Sequence, residues 1–233
     1  MRHRRVASLA LLGLGFLALL AQPVAAQTSI NSELITGLNA DLLFVAIPIT
    51  ILVEGILIYT VIRYRASNVD EAKPTQENRR LEITWTVATA IILLFVGFAS
   101  YTVLGVPAIG GVTASTNPNA QPAAITEDFD GAIGPKEGEV DAIEIEVVAQ
   151  KYFWMYNYDT DTGTVSGTST AGEALKIPAD TTVYLHITST DWLHAFHAPD
   201  LGLKQDAFPG QYNTIKTTVY EEGSYQLYCA EYC

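Results

Sequence analysis

The stretch LLFVAIPITILVEGILIYTVI, residues 42–62, decides the fold. A helix needs about 20 apolar residues to cross a bilayer, and this run supplies them. A second run, ITWTVATAIILLFVGFASYTVL, follows at residues 83–104. Between the two lie Arg63, Arg65, Lys73, Arg79 and Arg80. Basic loops stay on the cytoplasmic side, so the spans form a hairpin with both chain ends outside. Residues 1–26 agree independently. Arg2, Arg4 and Arg5 precede the apolar run VASLALLGLGFLALLAQPV, and VAA at 24–26 offers the small residues of a signal-peptidase site. The mature chain is expected to start near Gln27, with residues 27–104 forming the hairpin.

Two carboxylates fall in these spans. Glu54 sits in the middle of the first, where an ionisable group must face protein or water. A neutral hydrogen bond to a neighbouring helix satisfies it without any proton-handling role. Glu82 opens the second span, a favourable place for a carboxylate at a helix N-terminus. Trp85 reads as an interfacial aromatic.

The chain has 233 residues, 49% hydrophobic and 16% charged, with a net charge of −12. From residue 105 onward there are five lysines, no arginine and 18 acids. Such a surface excludes nucleic acid as a partner, because phosphates need cations. It suits a cationic partner protein, or solubility in high salt.

Residues 105–139 are rich in Gly, Pro, Ala, Asn and acids without a sustained period, and read as a flexible acidic linker. From 140 to 233 the pattern turns to strands. DAIEIEVVAQ (141–150) and TTVYLHITST (181–190) alternate, KYFWMYNYDTDTGTVSG (151–167) is aromatic and turn-rich, and NTIKTTVY (213–220) and GSYQLYC (223–229) follow. Short strands at this spacing predict an antiparallel β-sandwich or barrel.

Candidate ligands gather in STDWLHAFHAPDLGLKQDAFPG (189–210), with His194 and His197, and in the terminal CAEYC (229–233), with Cys229 and Cys233. An extracellular cysteine pair is by default a disulfide. As thiolates the same pair suits copper, a soft-ligand metal, and two sulfurs on one loop can share a cavity. Spacing alone leaves both open. His197, three residues past His194, reads as packing or a supporting hydrogen bond. His186, inside an alternating strand, reads as a satisfied barrel residue.

These segments together resemble subunit II of haem–copper cytochrome c oxidases. The resemblance runs from about residue 33 to the last residue. It rests on STDWLHAFHAPDLGLKQDAFPGQYN followed about twenty residues later by YCAEYC, on RYR after the first span, and on E-x-x-W-T opening the second. It implies a cupredoxin-like Greek-key β-domain carrying a dinuclear copper A centre. His194 would ligate one copper, Cys229 and Cys233 would bridge both, and Glu231 would offer its main-chain carbonyl. The Glu231 carboxylate and Asp206, in the K-x-D-A-x-P-G loop, would lie at a magnesium-bearing contact with subunit I. Glu82 matches a carboxylate at the mouth of a proton path, whereas Glu54 matches no role. The partners implied are subunits I and III, and cytochrome c or a small blue copper protein as donor. The implied location is the plasma membrane, multi-pass, with the copper domain extracytoplasmic.

Two departures stand out. The family completes its copper site with a histidine and a methionine beyond the second cysteine. This sequence ends at Cys233, Met155 and Met1 are unsuited, and a truncated record is the expectation. The family's W-x-W-x-F/Y-x-Y, whose first tryptophan accepts the electron, reads here QKYFWMYNY, with Tyr152 in that place and Trp154 matching the second. Three rivals remain. They are a copper-free structural subunit II of a quinol oxidase, a tethered single-copper carrier, and a disulfide-closed domain without metal.

Overall fold

The computed structural model describes residues 27–65, 67–68, 71, 77–106, 109, 129, 132–135, 141–160 and 163–232. The expected signal peptide lies outside these residues.

Helix α1 (Ile30–Arg63, 34 residues) and helix α2 (Arg79–Leu104, 26 residues) contain the two expected spans. Each begins at a side-chain cap. Ser29 accepts a hydrogen bond from Ser32 N, and Asn78 from Leu81 N. Such caps satisfy amide groups that the first turn leaves open. Neither helix has a buried residue. Phe44 is 82% exposed and Leu94 75%. Apolar faces of that extent need lipid or a partner protein around them. At about 1.5 Å per residue α1 is about 51 Å long, more than the roughly 30 Å of a hydrocarbon core.

The extra length of α1 reaches the outer domain. Ser29 is fully buried and forms a bridge with Val219. Its hydroxyl donates to Leu201 O at 2.6 Å, and Tyr220 N donates to Thr28 O at 2.9 Å. Gly202 makes the approach possible. Its φ is +64°, and a Cβ there would meet Ser32 N at 2.9 Å.

The outer domain is a two-sheet β-structure. Strands β1 (Ile143–Gln150), β2 (Phe153–Thr160), β3 (Gly163–Thr168), β4 (Thr182–Ser189) and β7 (Asn213–Thr218) make one sheet in the order β3-β2-β1-β4-β7. Strands β5 (His194–Ala198), β6 (Leu203–Ala207) and β8 (Tyr228–Cys229) make the other, in the order β6-β5-β8. All pairings are antiparallel except β1 with β4. The two-sheet arrangement is the expected one, while the parallel β1–β4 pair departs from the antiparallel pairing expected throughout.

The period-2 pattern explains the core. Ile145, Val147 and Ala149 of β1 and Val183, Leu185 and Ile187 of β4 face Phe196, Ala198 and Leu203 of the second sheet. Between the sheets a cavity of about 660 Å³ remains, bordered by Phe196, Leu203, Tyr225 and Leu227. It lies where GSYQLYC was expected to form a full strand. The segment is regular only at Tyr228–Cys229.

The opposite face of β4 is covered too, by Phe129 from the segment 105–139, of which residues 105, 106, 109, 129 and 132–135 are described. Ile109, Phe129 and Ala132 are buried. Phe129 stacks on His186, with ring centroids 4.3 Å apart, and meets Tyr212 edge-on at 5.5 Å.

Candidate metal centre

His194 opens β5, the central strand of the smaller sheet, and is 2% exposed. Antiparallel pairing sets Phe196 opposite Cys229, and Ala230 N donates to Ala195 O at 2.9 Å. The terminal loop therefore leaves the sheet beside His194. His194 Nδ1 lies 3.9 Å from Cys229 Sγ, and Nε2 lies 2.8 Å from Asp191 Oδ1. An ionised carboxylate only accepts, so Asp191 places the ring proton on Nε2 and turns the Nδ1 lone pair toward the sulfur.

Asp191 is itself held by its surroundings. Its Oδ2 accepts from Lys151 N at 2.9 Å, and its Oδ1 accepts from Trp192 N at 2.8 Å and Ser189 Oγ at 3.2 Å. Partial burial pushes its carboxyl pKa upward. These bonds and that of His194 outweigh the effect and hold it well below the usual carboxylate range.

Two tryptophans touch the His194 ring. Trp154, buried in β2, meets it edge-on at 6.2 Å, and Trp192, 39% exposed, stacks on it at 6.1 Å and 28°. The sequence reading missed Asp191 and Trp192 as site residues. Asp191 was legible as the residue three before the histidine. Trp192 carried no such mark.

Cys229 is disulfide-bonded, one of the two states that spacing left open. The chain contains one other cysteine, Cys233, which lies outside the described residues. A disulfide must be reduced before its sulfurs can bind a metal, because the thiolate is the ligand.

The fit to a metal can be tested on distances. A first-row ion bonded to both an imidazole nitrogen and a thiolate allows a separation up to about 4.3 Å, the sum of the two bond lengths. The observed 3.9 Å falls inside it. Among the described residues no group of three or more His, Cys, Asp or Glu side chains forms a cluster able to hold a metal. His194 and Cys229 are the donors brought together there.

The remaining expected residues are scattered around this pair. Glu231 is half-buried in the terminal loop. Asp206 sits in β6 opposite Ala195, its carbonyl accepting from Asn213 Nδ2 at 2.8 Å. Tyr152 is 72% exposed in the β1–β2 turn. Glu82 lies in the first turn of α2, as expected, and joins no part of the site.

The other two described histidines, His186 and His197, behave as read. His197 is on β5 an odd number of residues from His194, so it faces the opposite side. It packs on Tyr228 with ring centroids 4.9 Å apart. His186 is fully buried. Its Nε2 lies 2.8 Å from Glu144 Oε2, and its Nδ1 lies 3.1 Å from Thr214 Oγ1. Burial pushes its pKa from 6.5 down to about 4.

Two family profiles match the chain. One, described as cytochrome C oxidase subunit II, transmembrane domain, covers residues 19–103, and the other, described as its periplasmic domain, covers 165–233. Cytochrome c oxidase subunit 2 of Synechocystis sp. is 31% identical, with 91% of this chain and 67% of that one aligned. Its counterpart in Thermostichus vulcanus is 27% identical over 89% and 69% of the two chains. Among solved structures, the periplasmic domain of cytochrome oxidase subunit II of Bradyrhizobium japonicum matches 39% of this chain and 73% of its own, at 22% identity and a TM-score of 0.35. A chain of a heme-copper terminal oxidase dimer matches 66% and 90% at 21% identity and a TM-score of 0.41. Profiles on the membrane part and the outer part, and a relative aligned over nearly the whole chain, lead to one statement: this chain belongs to the cytochrome c oxidase subunit II family.

Proposed function

We propose that this chain is the electron-accepting subunit of an aerobic respiratory oxidase, with a dinuclear copper A centre on its extracytoplasmic domain. Electrons would come singly from cytochrome c or a small blue copper protein and leave to haem in subunit I, where oxygen is reduced to water. The hairpin of residues 27–104 anchors the chain in the plasma membrane as a multi-pass subunit beside subunits I and III. The observation that carries this reading is the pairing of His194 Nδ1 with Cys229 Sγ at 3.9 Å, with Nε2 held by Asp191.

His194 supplies an imidazole nitrogen. Reduced Cys229 and Cys233 would supply thiolates, and Glu231 a main-chain carbonyl. When bound, two coppers sharing thiolates spread one electron over both ions, so geometry changes little between redox states. The chain's own work is to hold these donors still. Asp191 orients the imidazole, and Trp154 and Trp192 limit water around it. Glu231 and Asp206 would meet a magnesium at the subunit I contact, and Glu82 would stand at a proton-uptake path.

Loading requires reduction of the Cys229 disulfide by an external dithiol, which supplies two electrons and two protons and becomes a disulfide itself; the two cysteine thiol protons are then lost on metal binding. The disulfide favours a second reading, a closed domain without metal. Copper titration of the protein from its complete reading frame, before and after thiol reduction, separates the two. Tight uptake of two coppers per chain only after reduction supports the copper centre. No tight uptake in either state supports the staple.

A further inference from the structure

We propose that Trp192, rather than Tyr152, is the aromatic side chain through which an electron passes from a docked donor toward His194. This inference rests on the copper reading above and concerns the route into that site. Electronic coupling falls steeply with distance, so a useful bridge must touch both the donor's surface and a ligand. Of the two tryptophans in contact with His194, Trp154 is 8% exposed and Trp192 is 39% exposed. Trp154 therefore cannot present a face to a protein outside. Trp192 is exposed enough to meet one, and its ring lies nearly parallel to the imidazole, 6.1 Å away. Tyr152 is exposed, and the ring contact it makes is with the Lys151 ammonium at 5.5 Å.

Lys151 defines what Trp192 can do. Its Nζ lies 3.9 Å from the centre of the Trp192 ring. A cation there stabilises the neutral indole and opposes a positively charged indole radical. Trp192 therefore acts as a bridge and is not itself oxidised. One electron leaves the donor's reduced cofactor and one arrives at the copper pair. No bond forms or breaks, and the indole keeps its proton. The main chain gives the bridge its rigidity, because Trp192 N and Lys151 N both donate to the Asp191 carboxylate that orients His194. Ser189 Oγ also donates to Trp192 O at 2.6 Å. The donor class follows from the net charge of −12, which favours a cationic one-electron carrier such as a basic c-type cytochrome.

The test uses the complete chain in detergent with reduced cytochrome c as probe, comparing Trp192→Leu, Trp192→Phe and Tyr152→Leu. In the metal-free protein, Trp192→Leu should weaken cytochrome c binding by about tenfold, and Trp192→Phe should recover most of it. In the copper-loaded complex, Trp192→Leu should also slow electron transfer by about tenfold or more, again with recovery in Trp192→Phe. Tyr152→Leu should have the smaller effect in both. A larger effect of Tyr152→Leu, or no effect of Trp192→Leu on either quantity, overturns the assignment. Absence of a copper signal in every protein would refute the metal reading instead, and the metal-free binding comparison would still decide whether Trp192 meets the donor.

Discussion

Two buried histidines in this domain each hold a carboxylate at 2.8 Å, yet they do different things. His186 donates to Glu144 through Nε2, and its Nδ1 meets the Thr214 hydroxyl at 3.1 Å. Every polar atom of its ring is engaged as a neutral imidazole, and Phe129 closes over it. His194 is oriented by Asp191 in the same way, but its Nδ1 faces a sulfur at 3.9 Å on the terminal loop. The carboxylate pairing alone is therefore no mark of a ligand. What meets the second nitrogen is decisive, a hydroxyl that saturates it or a soft donor with which it can share an ion.

The sharpest way to break this contrast is to remove each ring. His194→Ala should abolish copper uptake and also lower stability, because the ring is buried and partners Asp191, measured by metal analysis beside a melting curve. His186→Ala should affect stability alone. It should cost about 3 kcal/mol, because it leaves a cavity under Phe129 and strips Glu144 of its partner. Copper uptake should survive. If His186→Ala loses copper at unchanged stability, the two roles have been assigned the wrong way round.

Acid should separate the two sites in the same direction. The His186 pKa falls from 6.5 to about 4 on folding, so the unfolded chain binds this proton more readily. Its contribution to stability is therefore complete above about pH 6.5 and is lost as pH falls toward 4, in total about 3 kcal/mol. The Asp191 carboxyl is held low instead. Its contribution persists through that window and is lost only below the ordinary carboxylate range. Denaturant midpoints between pH 7 and 4 should fall in wild type and flatten in His186→Gln. A smaller effect is expected from Asp191→Ala, which frees the His194 ring to turn. Copper affinity should drop by about 10- to 100-fold without loss of the fold. An unchanged affinity would mean that Asp191 only shapes its turn.

Much of this was legible in the residues. The spans at 42–62 and 83–104 lie within α1 and α2, because apolar length is read directly from sequence. Strands β1 and β4 lie within their alternating segments for the same reason. The ligand segment at 189–210 was given no strand, yet it holds β5 and β6. HAFHA and LKQDA are too short and mixed to show a period, and they become strands only by pairing with each other. Phe129 was hidden in a Gly- and acid-rich stretch, since its partner, His186, lies far along the chain. The same distance concealed Ser29, whose hydroxyl is spent on Leu201 in the outer domain. Trp192 could not be distinguished from any surface aromatic until the β1–β2 turn placed Lys151 over its ring.

The most direct measurement is an electron paramagnetic resonance spectrum of the reduced, copper-loaded protein after one-electron poising, expressed from its complete reading frame. Two coppers bridged by Cys229 and Cys233 should give hyperfine structure from two equivalent copper nuclei sharing one unpaired electron. A spectrum from a single copper nucleus, or no copper signal after thiol reduction, would contradict a dinuclear centre at His194.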